Sequence, residues 1–122
     1  MTRIYISGPI AGYPSDNRTA FDTAAAALAG VGHLTINPFE VPVGVEHPTW
    51  ADYLRADLLA LIQAAGGVAT LPGWPESRGA SLEVHVAKAL GIPVKPLDAW
   101  LTDGDDAAWR EAYNGIIPGK AL

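Results

Sequence analysis

"GVATLPGWPESRGASLEVHVAKALGIPVK", residues 67–95, decides how this chain folds. Val68 to Leu71 reads as a short buried strand, and Pro72 to Glu76 is a loop of turn-forming residues. Ser77 to Leu90 carries a helical pattern that opens on a capping serine and stops at Gly91. Ile92 to Lys95 is again a strand. A strand, a helix-length crossover and a second strand make the repeating unit of a parallel sheet.

Upstream the same alternation continues. Residues 3–7, RIYIS, are a strand stopped by Gly8-Pro9. After the turn-rich YPSDNR of residues 13–18, the segment from Thr19 to Leu28 places Phe21, Ala24, Ala25 and Leu28 at helical spacing, ended by Gly30 and Gly32. Leu34 to Asn37 is a second strand, stopped by Pro38, and residues 38–49 are an ordered loop. Trp50 to Ala65 is a helix with Leu54, Leu58, Leu61 and Ile62 as its apolar stripe, ended by Gly66-Gly67. From Pro96 onward the pattern weakens, with a short helix expected around Asp105 to Tyr113.

The expectation is therefore one α/β domain over residues 1–122: a three-layer, Rossmann- or flavodoxin-like parallel sheet of four or five strands in the order 2-1-3-4, with helices on both faces. Ligands of such sheets sit beyond the carboxyl ends of the strands. The loops Ser7-Gly8-Pro9-Ile10 and Pro72 to Gly79 both reach that edge.

Bulk properties narrow the function. Of 122 residues, 49% are apolar, enough for one core, and the formal net charge is −5. An acidic chain disfavours binding to a nucleic-acid polymer, yet backbone dipoles can still hold a small anion. With no cysteine, thiolate chemistry and disulfides are excluded. No apolar run is long enough to cross a bilayer, and the opening MTRIYISGPI is too short and polar for a secretory signal, so the expected compartment is the cytoplasm with no membrane partner. His33, His47 and His85 share no metal spacing, and the glycines form neither a Walker nor a dinucleotide fingerprint, so neither metal nor cofactor is expected.

Two carboxylates stand out. Glu83 lies in the second turn of the helix that opens at Ser77, where unpaired N–H groups suit a phosphate and Ser77 and Gly79 let it approach. It reads equally as an exposed helix residue, although Ala87 at i+4 offers it no pair. Asp57 borders the leucine stripe of the preceding helix; the simpler reading is a solvated flank residue beside Arg55, the other a carboxylate put to use. Tyr5 in the first strand is by itself a packing residue. Trp74, in a Pro-Gly-Trp-Pro loop beside the expected site, offers a face on which a base could stack.

Taken together, Tyr5-Ile-Ser7-Gly8-Pro9-Ile10, Asp57 on a helix, and Leu71-Pro-Gly-Trp74 followed by Ser77-Arg-Gly79-Ala-Ser-Leu-Glu83 resemble the nucleoside 2-deoxyribosyltransferase superfamily. The resemblance spans about residues 3–96 and is closest to a short phage and bacterial branch of domains of unknown function, the DUF4406-like chains. It implies hydrolysis or transfer at the N-glycosidic bond of a nucleoside or its 5′-monophosphate. Glu83 would be the nucleophile, Asp57 would assist the leaving base or orient the sugar, and Tyr5 would position the nucleophile. Ser77 and Gly79 would hold the 5′-phosphate, and Ser7 to Ile10 would line the base and sugar pocket. The chain departs from the better-known members at Glu83-Val84-His85, where they have Glu-Leu-Gly, and at Ala65-Gly66-Gly67, where many have an aspartate. The competing class is a nucleotide-binding or sensing module of the same fold without catalysis. Relatives complete their pockets with a neighbouring subunit, so a homodimer or higher homo-oligomer is expected, with Tyr113 and Asn114 as candidates to reach the partner's site.

Overall fold

The computed structural model describes residues 3–102. Four strands and four α-helices alternate, with short 3-10 turns in three of the connections: β1 (Arg3–Ser7), α1 (Arg18–Gly30), β2 (Leu34–Ile36), α2 (Trp50–Ala64), β3 (Gly67–Thr70), α3 (Arg78–Ala89), β4 (Val94–Pro96) and α4 (Leu97–Leu101). The four strands form one parallel sheet in the order β2-β1-β3-β4. Tyr5 of β1 is level with Ile36 of β2 on one side and Val68 of β3 on the other.

The alternation of β1 divides the core. Ile4 and Ile6 pack with Phe21, Ala24 and Leu28 of α1, and Leu97, Trp100 and Leu101 of α4 close the same layer. Tyr5 points the other way, into a cluster with Leu61 of α2, Val68, and Val84 and Ala87 of α3. Helices thus cover both faces, and the central strand is buried from Ile4 to Ser7.

Local chemistry sets the helix ends. α2 begins with a capping box, in which Thr49 and Asp52 exchange side-chain and backbone hydrogen bonds. At the end of α3, Gly91 takes φ +75°; its amide donates to the carbonyl of Lys88, and that of Ile92 to Ala87. This Schellman turn carries Ile92 back onto the core and aims the chain into β4.

Two expectations need correction. In α2, Leu61 is fully buried while Ile62 is 52% exposed, because the helix rests on the sheet along a narrower arc than its leucine content suggests. The helix α4 directly follows β4, where no element was expected; five residues are too few to display a helical period. Among the described residues the sheet has four strands, within the expected four or five and in the expected order. The helix expected at Asp105 to Tyr113 lies outside the described residues.

Trp100 explains the glycine that opens β3. A Cβ on Gly67 would stand 2.5 Å from the indole ring of Trp100, whose Nε1 donates to the carbonyl oxygen of Val68 at 2.8 Å. The departure at Gly66-Gly67 thus has a packing reason: an indole lies where a side chain at position 67 would be.

Candidate functional site

The carboxyl ends of β1 and β3 carry the loops that shape a cleft of about 750 Å³. Gly8 turns the chain immediately after β1 and lies flush against Leu71, whose Cβ would be 2.8 Å from a Cβ at position 8. Gly8, Pro9 and Ile10 then form one wall. Gly73, at φ +87°, receives the hydroxyl of Tyr13 at 2.8 Å from where its own Cβ would stand, so the two loops meet. Asn17 Nδ2 donates to the carbonyl oxygen of Pro9 at 2.8 Å and braces the first loop from behind. Ser15, Asp16 and Asn17 all take positive φ in this brace, a conformation that costs non-glycine residues free energy.

Glu83 is at the floor of this cleft. It is only 6% exposed, and both carboxylate oxygens are engaged. The hydroxyl of Tyr5 donates to Oε2 and that of Ser7 to Oε1, each at 2.7 Å. Tyr5 and Ser7 are i and i+2 on one strand, so both face α3, and their hydroxyls meet one carboxyl group. Each carboxylate oxygen keeps a further lone pair. Ser7 is fully buried and does not reach the cleft lining, so its contact is with Glu83.

Asp57 lines the same cleft from α2. It is half-buried, and among the described residues no hydrogen bond or ion pair holds it, including none from Arg55. Burial alone pushes its carboxyl up to about 7. Burial also pushes Glu83 up to about 7, against the pull of the Tyr5 and Ser7 hydroxyls, and the Asp57 charge adds a smaller upward push. Tyr5 is held well above its ordinary value by burial and by the two neighbouring carboxyls, so it stays a donor. Two carboxyls that titrate near the same pH and repel one another share a proton around neutrality. The Tyr5 and Ser7 hydroxyls favour the charged form of Glu83, and among the described residues no such donor faces Asp57.

The opening of α3 supplies a seat for an anion. Ser77 caps the helix, its Oγ accepting from the amide of Ala80 at 3.2 Å. The amides of Arg78 and Gly79 remain among the unpaired donors of the first turn. No atom stands within 4 Å of where a Gly79 Cβ would be, so a ligand can come close to that backbone. Ser77, Arg78 and Gly79 all line the cleft.

Of the residues singled out in the sequence, Glu83, Asp57, Gly8, Pro9, Ile10, Ser77 and Gly79 share this cleft, with Tyr5 and Ser7 directly behind Glu83. Trp74 does not line it: its ring packs against the Tyr5 and Leu61 cluster. Tyr13, Phe21, Phe39, Trp50 and Tyr53 are the aromatic residues at the cleft instead. Two arginines also went unread, Arg18 and Arg78; the guanidinium of Arg78 lies 4.2 Å from the ring centroid of Trp50. Their spacing does not announce them as a group, because they come from the segment after β1, the start of α1, the segment after β2, the first turn of α2 and the start of α3. Tyr113 and Asn114 lie outside the described residues, and no helix among the described residues is long and apolar enough to cross a membrane.

Neither among curated proteins nor among solved structures does the chain have a significant match. The family model described as "Domain of unknown function (DUF4406)" matches residues 2–96, which takes in the whole sheet and every residue of the cleft named above, and the chain belongs to that family.

Proposed function

We propose that this protein cleaves the N-glycosidic bond of a nucleoside 5′-monophosphate, as an outlying relative of the nucleoside 2-deoxyribosyltransferases acting on the cytoplasmic nucleotide pool. One observation carries the reading: a buried carboxylate at the floor of a cleft, gripped by two hydroxyls and facing a second carboxyl that can hold a proton. Such a pair is what displacement at an anomeric carbon requires.

The phosphate would sit on the unpaired amides and hydroxyl at the start of α3, with the sugar over Glu83. A lone pair of Glu83 attacks C1′, and the C1′–N bond breaks with its electron pair passing to the base. Asp57 delivers its proton to the base, which leaves neutral. The sugar is then held as an ester of Glu83. Water attacks C1′ and gives its proton to the Asp57 carboxylate, which frees the sugar phosphate and restores both groups. A second base in place of that water would give transfer. Tyr5 and Ser7 hold the nucleophile in position and favour its charged form.

The test is direct. Incubation with a panel of nucleoside 5′-monophosphates should liberate free base, and Glu83→Ala should abolish release. Nucleotide binding by calorimetry with no release from any member of the panel would replace this reading with that of a binding module.

The chain is also proposed to pair with a second copy of itself. Leu59 and Ile62 of α2 and Leu82 of α3 are large apolar side chains turned to the outside, on the helices that also supply Asp57 and Glu83.

A further inference from the structure

Arg18, the first residue of α1, belongs to a closed circuit of contacts. Its Nε donates to Asp22 Oδ2 at 3.4 Å, and Asp22 Oδ1 accepts from Asn37 Nδ2 at 2.9 Å. Asn37 Oδ1 accepts from the amide of Phe39 at 3.1 Å, and the Phe39 ring lies beneath the Arg18 guanidinium, 5.3 Å from centroid to Cζ. Asn37 is 3% exposed, so a buried amide is committed to orienting the aspartate that holds this arginine. An exposed Arg–Asp pair four residues apart adds little to stability, so stability alone gives no reason for the arrangement. Its result is positional: Nε is occupied, the two terminal amino groups have no partner among the described residues, and Arg18 is one of the residues that line the cleft.

We infer that Arg18 reads the base, and that the cleft selects nucleotides whose base presents two adjacent hydrogen-bond acceptors. The inference rests on the proposed placement of phosphate and sugar. The phosphate seat follows β3, and Glu83 is held by residues of β1. Continuing in the same direction across the sheet, the next strand is β2, and the chain that leaves it carries Asn37 and Phe39. A nucleotide extended from phosphate to sugar to base along that line brings its base to Phe39 and Arg18.

A guanidinium with its Nε engaged offers a rigid fork of two parallel donors. Guanine and hypoxanthine match it with O6 and N7, and cytosine matches it with O2 and N3. Adenine sets a donor amino group beside N7, and thymine sets N3–H beside each carbonyl, so each would oppose donor to donor on one arm of the fork. The same fork favours cleavage, since the electron pair of the broken bond spreads over the ring nitrogens and carbonyl oxygen it contacts.

The experiment measures binding to the Glu83→Gln variant, which cannot turn over, by calorimetry with the 5′-monophosphates of guanosine, inosine, cytidine, adenosine and thymidine. The first three should bind at least about tenfold more tightly than the last two, since a bidentate pair discriminates by about that much or more. Adding Arg18→Ala should level the series. Arg18→Lys keeps the charge but loses the fork, and should level it too, which guards against a variant that misfolds. Equal binding of all five, selectivity that survives both Arg18 substitutions, or no binding at all would overturn the inference. The failures are separable by assaying base release with the unsubstituted protein. Selective binding without release upholds the base reading and removes cleavage; release from all five nucleotides alike keeps cleavage and removes the base reading.

Discussion

Ser7 and Glu83 stand 76 positions apart in the chain, yet the serine hydroxyl donates to the carboxylate at 2.7 Å in the protein interior. Because Ser7 is fully buried, its replacement acts through Glu83 alone. Ser7→Ala removes a donor that favours the charged carboxylate, so the acid limb of the base-release profile should move to higher pH. The rate at neutral pH should fall about 10- to 100-fold, as a hydrogen bond to a charged group contributes about 1.5–3 kcal/mol. Tyr5→Phe should shift the same limb in the same direction. A rate loss with an unmoved limb would mean that these hydroxyls only fill space.

Glu83 and Asp57 each titrate near 7, one needed as carboxylate and the other as acid. Base release should therefore trace a bell with its maximum near neutrality and both limbs assigned to the pair rather than to single residues. Asp57→Asn should remove the alkaline limb along with most of the rate. A profile flat from pH 5 to 9 would count against both assignments.

The same two groups make stability depend on pH in an unusual direction. Their folded values lie above the ordinary values of 3.8 and 4.5, so the folded state holds more protons than the unfolded state between roughly pH 4 and 7. Their contribution is fully present below that window and is lost as pH rises through about 7. For Glu83 the loss amounts to at most about 3 kcal/mol, at about 1.4 kcal/mol per pH unit. Asp57→Asn and Glu83→Gln should each melt higher than the unsubstituted protein at pH 8, with the difference shrinking at pH 4, as thermal melts across that range would show. An unchanged melting difference at the two pH values would refute this account.

Trp100 covers β3 through both its ring and its Nε1. Trp100→Ala should cost about 3–5 kcal/mol in chemical denaturation, the range for removing a large packed aromatic residue. Gly67→Ala should also destabilise, since the ring must give way to the new methyl group. Neither substitution touches the cleft, so base release per folded molecule should persist.

If Leu59, Ile62 and Leu82 form a subunit contact, light scattering at micromolar concentration should give twice the chain mass. Replacing Leu59 and Ile62 by aspartate should return it to a single chain.

Strand order and the Glu83 site were legible for a simple reason. Each strand is a short stretch with β-forming residues bordered by glycine or proline, and Ser77 to Gly91 announces a helix by its two ends, so topology rules bring Glu83 near the carboxyl edge of the sheet. What escaped depends on direction rather than identity. Trp74 looks the same in the sequence whether it faces a ligand or the core, and here the turn at Gly73 sends it to the core. The Arg18–Asp22–Asn37 circuit joins a helix to the end of a strand; Arg18 and Asp22 show as a pair four residues apart, but nothing in the sequence ties Asn37 to them. Asp57 read as solvated because a carboxylate at the border of a leucine stripe looks the same whether it meets solvent or lines a cleft shared with residues distant in the chain.

The family match stops at residue 96, one residue before α4 begins. An expression clone trimmed to that border would keep every group proposed for chemistry and discard the indole plugged above Gly67. Greasy strand surface would then meet water, and a fragment neat on paper would be prone to clump in the tube.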